Sequence, residues 1–292
     1  MRVLLVGKNG QLGSCFQDIM KARPDYELFA FDSNELDITN RQQVSNRFKE
    51  VAPDIIVNAS AYTAVDKAES ETALAFSVNE QGVKHLVEQA NKLDIPLIHV
   101  STDYVFDGSG ITPYKANDTT NPQGVYGASK LAGECVTTEG CNKYIILRTS
   151  WVFSEYGNNF VKTMLRLAKE RDSLSVVADQ YGCPTYAGDL AVTIQFLCEQ
   201  YQLHGSLEWG CYHYCGNLAT SWHGFARSIF SLAQRKGMLD QPPRLSAISS
   251  DEYPTPAKRP AFSVMDTAEL SRLGVTTPNW LNSLNDVLDK LS

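Results

Sequence analysis

Arg2-Val3-Leu4-Leu5-Val6 runs straight into Gly7-Lys8-Asn9-Gly10-Gln11-Leu12-Gly13, and a helix-like stretch follows over Gln11–Lys21. The apolar run reads as a buried strand, and the glycines are spaced GxxGxxG. Glycine tolerates positive φ and lets one backbone approach another closely. Between a strand and a helix, this spacing suits a tight turn, close approach to a pyrophosphate and close helix–strand packing. The helix N-terminus adds free N–H groups and the positive end of the helix dipole. The segment therefore predicts a dinucleotide-phosphate loop at the start of a βαβ array.

Outward from this loop, short apolar runs alternate with helical patterns. Glu27–Phe31, Ile55–Asn58, Pro96–Val100 and Tyr144–Leu147 read as strands. Thr39 opens a helix that runs through Val51, and Ser129–Thr138 reads as another. One long helix is expected over Thr72–Leu93, where Leu74, Phe76, Val78, Val83, Leu86, Val87 and Ala90 fall near a 3.6-residue period. Such alternation predicts the α/β class: a Rossmann-like, doubly wound parallel sheet with a smaller C-terminal substrate-binding lobe. The expected division is a dinucleotide-binding domain over 1–150, rejoined by part of 187–216, and a mainly substrate-binding lobe over 151–292. In that second half, Asn159–Arg171, Gly188–Tyr201 and Ser221–Lys236 read as helices. Leu174–Ala178 and Cys211–Cys215 read as strands. Pro242, Pro243, Pro254, Pro256 and Pro260 make 241–262 extended and loop-like.

Composition narrows the function. Among the 292 residues, 26 Lys and Arg against 33 Asp and Glu leave a net charge of −7. An acidic chain without basic clusters argues against nucleic acid as a partner. No apolar run is long enough for a membrane span. The first apolar run is too short for a secretory leader, so the cytoplasm is the expected compartment. The seven cysteines are odd in number and contain no CxxC, which argues against a disulfide framework. Cys211-Tyr212-His213-Tyr214-Cys215 lacks a second pair of metal ligands and reads instead as a buried strand.

The candidate chemistry lies where strands end. Tyr126 and Lys130 are four residues apart, hence on one face if their stretch is helical. A free phenol is a weak acid at neutral pH, and a nearby ammonium is expected to lower its pKa. Ser101-Thr102-Asp103 follows the fourth strand, so the Thr102 hydroxyl is expected at the same sheet edge. Asp32, at the end of the second strand, suits either a ribose contact or an ordinary turn. Beyond that strand there is no Arg for a 2′-phosphate, but Lys8 is available, so NADH and NADPH both remain open.

Taken in order, these motifs resemble the extended short-chain dehydrogenase/reductases. Within that superfamily the chain resembles the dTDP-4-dehydrorhamnose reductase family over nearly its whole length. The resemblance is carried by GKNGQLG, Asp37-Ile38, NASAYTAVDKAE (Asn58–Glu69), STDYVFDG (Ser101–Gly108) and VYGASKLAGE (Val125–Glu134). It continues through RTSWVF (Arg148–Phe153), GNNFVKTML (Gly157–Leu165), DQYGCPT (Asp179–Thr185) and YPTPAKRP (Tyr253–Pro260). It implies hydride transfer from NADPH or NADH to the C4 ketone of a dTDP-sugar. It also implies that Gly7, Gly10, Gln11, Leu12 and Gly13 approach the dinucleotide phosphates. Asp37 and Ile38 would contact the adenine, and Ala61, Tyr62 and Thr63 would line the cofactor. Tyr126 would protonate the ketone oxygen, Lys130 would hold the ribose, and Thr102 would tune the tyrosine. Thr102, Asp103, Trp151 and Arg259 would meet the substrate, Arg259 at its diphosphate. Some members form a Mg²⁺-bridged dimer through a Glu two residues past the third loop glycine. Here Cys15 stands there, and a thiol is a poor ligand for a hard cation. No metal is therefore expected, and the chain should be a monomer or a homodimer. Two other classes stay open: an epimerase or dehydratase of the same superfamily, and a non-catalytic NAD(P)-binding regulatory subunit.

Overall fold

The structure, a computed structural model, describes residues 1–292. Five strands of the first half lie in one sheet: β1 (Arg2–Val6), β2 (Glu27–Phe31), β3 (Ile55–Asn58), β4 (Leu97–Thr102) and β5 (Tyr144–Thr149). Later in the chain come β6 (Ser173–Val177), β7 (Gly210–His213) and β8 (Arg244–Ile248). The central sheet has the order β7-β5-β4-β3-β1-β2, and every pairing in it is parallel. After β1 the chain goes outward to β2 and then returns to β3 on the other side of β1. The crevice between β1 and β3 is thus the topological switch point where doubly wound sheets bind ligands.

Apolar residues alternate onto both faces of this sheet. Val3, Leu5, Val57, Ile98, Ile145 and Leu147 face one core, shared with helices α1 (Gln11–Met20) and, later in the chain, Ala187–His204. Leu4, Val6, Ile56 and Leu97 face the other, shared with α2 (Arg41–Val51) and Val83–Leu93. The segment 187–213 therefore returns to the sheet, with β7 pairing with β5 in register Cys211↔Ile146. Tyr212 and Tyr214 are buried there, which is the strand environment expected for CYHYC. A separate core joins Phe153, Val161, Leu174, Phe225, Ile229, Trp280 and Val287.

Two expectations need correction, and a third element went unread. The helix over 72–93 is not uniform: Thr72–Phe76 and Val83–Leu93 are α-helical, and Ser77–Gly82 between them is a π-helix. Apolar period alone does not register the wider turn. The proline-rich stretch 241–262 contains β8, parallel to β6 in register Arg244↔Ser173; its mostly exposed residues hide the pattern behind Pro242 and Pro243. The third is a C-terminal helix, Trp280–Leu291, capped by Asn279 accepting from the Leu281 N–H at 3.0 Å. Its buried Trp280, Leu284, Val287 and Leu288 carry a helical spacing that was readable in the sequence.

The helix Val125–Gly140 is fixed to the sheet by a buried ion pair. The Arg148 guanidinium on β5 donates to Glu134 from Nη2 at 2.6 Å and from Nε at 2.9 Å, and from Nη1 to Ala116 O at 3.0 Å. The side chains are only 7% and 4% exposed. Removing one partner of a buried pair strands the other charge, at about 3–5 kcal/mol. Glu134→Ala should lose that much stability in urea unfolding followed by circular dichroism. A loss below about 1 kcal/mol would show that water or Ala116 alone satisfies Arg148.

Candidate active site

At the end of β1, Gly7 has φ +90°, and a Cβ there would stand 2.7 Å from the backbone of Ala59 and Ser60 beyond β3. A Cβ on Gly13 would lie 2.2 Å from Gly7 O. Both positions demand glycine, and together they press the start of α1 against the β1–β3 crevice. Gly10 precedes α1 in an extended conformation with no side-chain cap. The first-turn N–H groups of Gln11, Leu12 and Gly13 have no intrahelical acceptor by geometry. Uncapped amides at a helix N-terminus fit a pyrophosphate. The Leu12 side chain itself is core.

Gln11 is placed differently from its expected part. Its side chain turns away from the loop, donating to Val152 O at 3.2 Å and accepting from Ser154 Oγ at 3.0 Å and Asn159 Nδ2 at 2.9 Å. Only its backbone lies at the uncapped start of α1. Asp37 and Ile38 sit before α2: the Asp37 carboxylate accepts from Thr39 N–H and hydroxyl, and Ile38 is buried. Asp32 serves its own turn, accepting from Asn34 N–H at 2.9 Å and Asn9 Nδ2 at 2.7 Å. Lys8, the alternative 2′-phosphate partner, is held by Glu35 at 2.5 Å.

Beyond β3, Ala61 and Tyr62 are half-buried and Thr63 is exposed. Asn79 of the π-helix clamps Tyr62, accepting from its N–H at 2.8 Å and donating to its C=O at 3.1 Å. Its amide also donates to Ser129 Oγ at 2.9 Å, on the helix Val125–Gly140. The wider π turn thus puts one side chain between the Ala61–Thr63 segment and the helix that carries Tyr126 and Lys130. Sequence reasoning missed Asn79; a buried Asn inside an apolar helical run was its only signal. Glu69, at the end of the Asn58–Glu69 stretch, meets the same helix. It accepts from Val125 N–H at 2.9 Å and so supplies the cap that Gly124 cannot.

The helix begins at Val125, four residues before its expected start, so Tyr126 and Lys130 do lie one turn apart on it. Thr102 ends β4 and pairs with Thr149 of β5. Its hydroxyl donates to Asp103 Oδ1 at 3.0 Å. Tyr104 packs edge-on against Tyr126, with centroids 5.4 Å apart. Lys130 is 2% exposed and donates to Val100 O at 2.7 Å. That is its one hydrogen bond within the chain, so two of its three N–H groups remain for a ligand.

The electrostatics reverse one expectation. Burial pushes the Tyr126 phenol up to about 12; the Thr102 hydroxyl opposes this and the Asp103 carboxylate adds to it. Lys130 does not offset it: its ammonium points to Val100 O, and burial pulls it down to about 8. Burial likewise lifts Asp103 to about 6. Tyr126 therefore keeps its proton at neutral pH, as a free tyrosine does, and is a weaker acid than a free phenol.

Trp151 follows β5 at φ 49°, a left-handed backbone for a bulky residue, worth about 1–3 kcal/mol of strain. Its indole stacks on Trp222, with centroids 3.5 Å apart. Arg259 is held by Asp66, donating from Nη1 to Oδ1 at 2.9 Å and from Nη2 to Oδ2 at 2.8 Å. Its Nη1 also donates to Ala257 O at 3.1 Å, which leaves Nε and one Nη2 proton unused. Around Cys15 the residues do not fit a Mg²⁺ ion. Burial and Glu155 raise its thiol to about 12, and Lys290 already pairs with Glu155 at 2.6 Å.

Phosphate loop, switch point and a Thr–Tyr–Lys set at one edge of a doubly wound sheet are the hallmarks of an extended short-chain dehydrogenase/reductase. Residues 1–292 match the family model described as RmlD substrate binding domain, and the chain belongs to that family. It is 45% identical over 287 residues to a dTDP-4-dehydrorhamnose reductase of Aggregatibacter actinomycetemcomitans, covering 98% of each chain. Among solved structures it is similar to a dTDP-4-dehydrorhamnose reductase of Clostridium acetobutylicum, with 37% identity, TM-score 0.92, and coverage of 100% of this chain and 99% of that one. It is also similar to one from Bacillus anthracis in complex with NADP, with 39% identity, TM-score 0.91 and 99% of each chain covered. No helix is long and apolar enough to cross a membrane.

The depressed Lys130 gives a pH dependence. Its charged form is lost as pH rises through about 8. NADPH affinity in a fluorescence titration should hold near neutrality and weaken above that pH. Lys130→Arg, which stays charged, should not show the fall. A wild-type affinity unchanged up to about pH 10, the ordinary range of a lysine, would contradict the assignment.

Proposed function

We propose that the protein reduces the C4 ketone of dTDP-4-dehydro-L-rhamnose to dTDP-L-rhamnose in the cytoplasm, using NADPH or NADH. The observation that carries the reading is the placement of Tyr126 and Lys130 one turn apart on the helix Val125–Gly140, with Thr102 at the end of β4, at the same sheet edge as the uncapped start of α1. Residues 1–150 with the returning 187–216 would form the cofactor-binding domain, and the remainder of 151–292 the substrate lobe. The backbone of Gly10–Gly13 would receive the pyrophosphate, with Gly7 setting the turn. Asp37 and Ile38 would frame the adenine, and Ala61, Tyr62 and Thr63 the path between. Lys130 would hold ribose hydroxyls with its two unused N–H groups. When bound, the nicotinamide supplies the hydride. Tyr126 gives its proton to the ketone oxygen as that oxygen gains charge. Thr102 would favour the phenolate that remains by turning its hydroxyl proton from Asp103 to the phenol oxygen. Asp103 and Trp151 would orient the sugar.

Consumption of NADPH with dTDP-4-dehydro-L-rhamnose, followed by absorbance, tests the reading. Tyr126→Phe should lose about 10²–10⁴-fold in turnover while NADPH still binds. Near wild-type turnover would remove Tyr126 from the mechanism. Tightly retained cofactor with no net consumption would instead indicate an epimerase or dehydratase, and no turnover with any nucleotide sugar a binding subunit.

Arg259 supplies a separate test of the substrate lobe. Asp66 occupies half of its fork, and the unused Nε and Nη2 protons would meet the diphosphate. Arg259→Ala should raise KM for the sugar nucleotide about 10–150-fold and barely change that for NADPH. A defect confined to the NADPH titration would overturn this placement.

A further inference from the structure

Trp151 stands two residues beyond Thr149, the register partner of Thr102. Its indole is gripped by two members of the second half of the chain. Trp222 stacks on it with planes 7° from parallel. Gly182 closes on it so tightly that a Cβ there would stand 2.6 Å from the ring. These two members are themselves tied together: Thr220 pairs antiparallel with Gly182, and Ser221 with Tyr181. Ser221 then caps the helix Trp222–Arg235 by accepting from Gly224 N–H at 3.1 Å. Phe160 packs in turn against Trp222, at 4.7 Å between centroids. The buried Trp280 indole donates to Leu218 O at 2.8 Å. The half-buried Trp151 indole, by contrast, makes no hydrogen bond within the chain. The Trp151 N–H is not buried, so it is open to an acceptor from outside the chain.

We propose that Trp222 is a positioning residue for the reaction. By stacking on Trp151 it holds that indole in one orientation, with its unpaired N–H presented to the sugar nucleotide, and so sets affinity for that substrate without touching it. The proposal rests on the reading that Trp151 meets the substrate. Its consequence is specific: loss of Trp222 spreads Trp151 over several orientations and weakens binding, while the proton transfer at Tyr126 and the cofactor loop are unaffected.

The test compares Trp222→Leu, Trp222→Phe, Gly182→Ala and Trp151→Phe in the full chain. KM for dTDP-4-dehydro-L-rhamnose, KM for NADPH and kcat are measured, together with the exciton circular dichroism of the stacked indoles. Trp222→Leu should abolish the exciton signal and raise the sugar-nucleotide KM about 3–10-fold, with kcat and the NADPH KM within about twofold. Trp222→Phe, which can still stack, should recover most of the loss. Gly182→Ala, which presses on the indole from the other member of the clamp, should give the same split with Trp222 intact. Trp151→Phe should raise the same KM, and adding Trp222→Leu to it should change little more. A KM that rises for Trp151→Phe but not for Trp222→Leu or Gly182→Ala would overturn the positioning role and leave the substrate reading standing. An unchanged KM for Trp151→Phe would sink that reading and the proposal with it. Equal losses in kcat, NADPH binding and sugar-nucleotide binding would assign Trp222 a purely structural role and also overturn the proposal.

Discussion

The site is organised by the contact of Gly13 with Gly7 O, where a Cβ would come within 2.2 Å. It brings the first turn of α1 down onto the crevice between β1 and β3 and aims its uncapped N–H groups along the carboxyl edge of the sheet. The direction of α1 then fixes two further things. Its outer face packs with Ala187–His204, which returns the chain to the sheet as β7. Its first residue, Gln11, reaches Val152, Ser154 and Asn159 and so joins the phosphate loop to the second half of the molecule. A side chain on either glycine would disturb the loop, the returning segment and that junction together.

The helix Val125–Gly140 has its own fixation, which holds Tyr126 and Lys130 in place. Three polar contacts supply it, each on a different element. Glu69 satisfies its first turn, Asn79 links it to the Tyr62 segment, and Glu134 anchors its far end to Arg148 on β5. Local polar pairs preorganise a site because each one restricts the helix at a separate point. The buried setting they create has an electrostatic consequence. It raises Tyr126 and lowers Lys130, so the phenol keeps its proton at neutral pH.

Much of this was legible in the sequence, for identifiable reasons. Strands buried on both faces leave continuous apolar runs, so β1 and β3 were read with their observed ends, as was the half-buried edge strand β2. The glycine spacing is a direct imprint of backbone contact, and it located the tight turn between β1 and α1. Side-chain partnerships left no such imprint. Nothing local reveals that Gln11 faces Val152, that Arg259 is held by Asp66 across the chain, or that Trp222 stacks on Trp151. Each joins segments far apart in sequence. The π turn at Ser77–Gly82 and the proline-flanked β8 escaped because apolar period does not distinguish a widened helix turn, and because a mostly exposed strand carries little apolar signal.

The account stands on direct hydride delivery to a ketone with a proton from Tyr126. Isotope transfer reads this most directly: NADPH deuterated at the transferable position of the nicotinamide is incubated with dTDP-4-dehydro-L-rhamnose, and the product is analysed by NMR and mass spectrometry. The account predicts one deuterium at C4 of dTDP-L-rhamnose and one cofactor oxidised per sugar. A deuterium-free sugar, or product formed with no cofactor consumed, would contradict it.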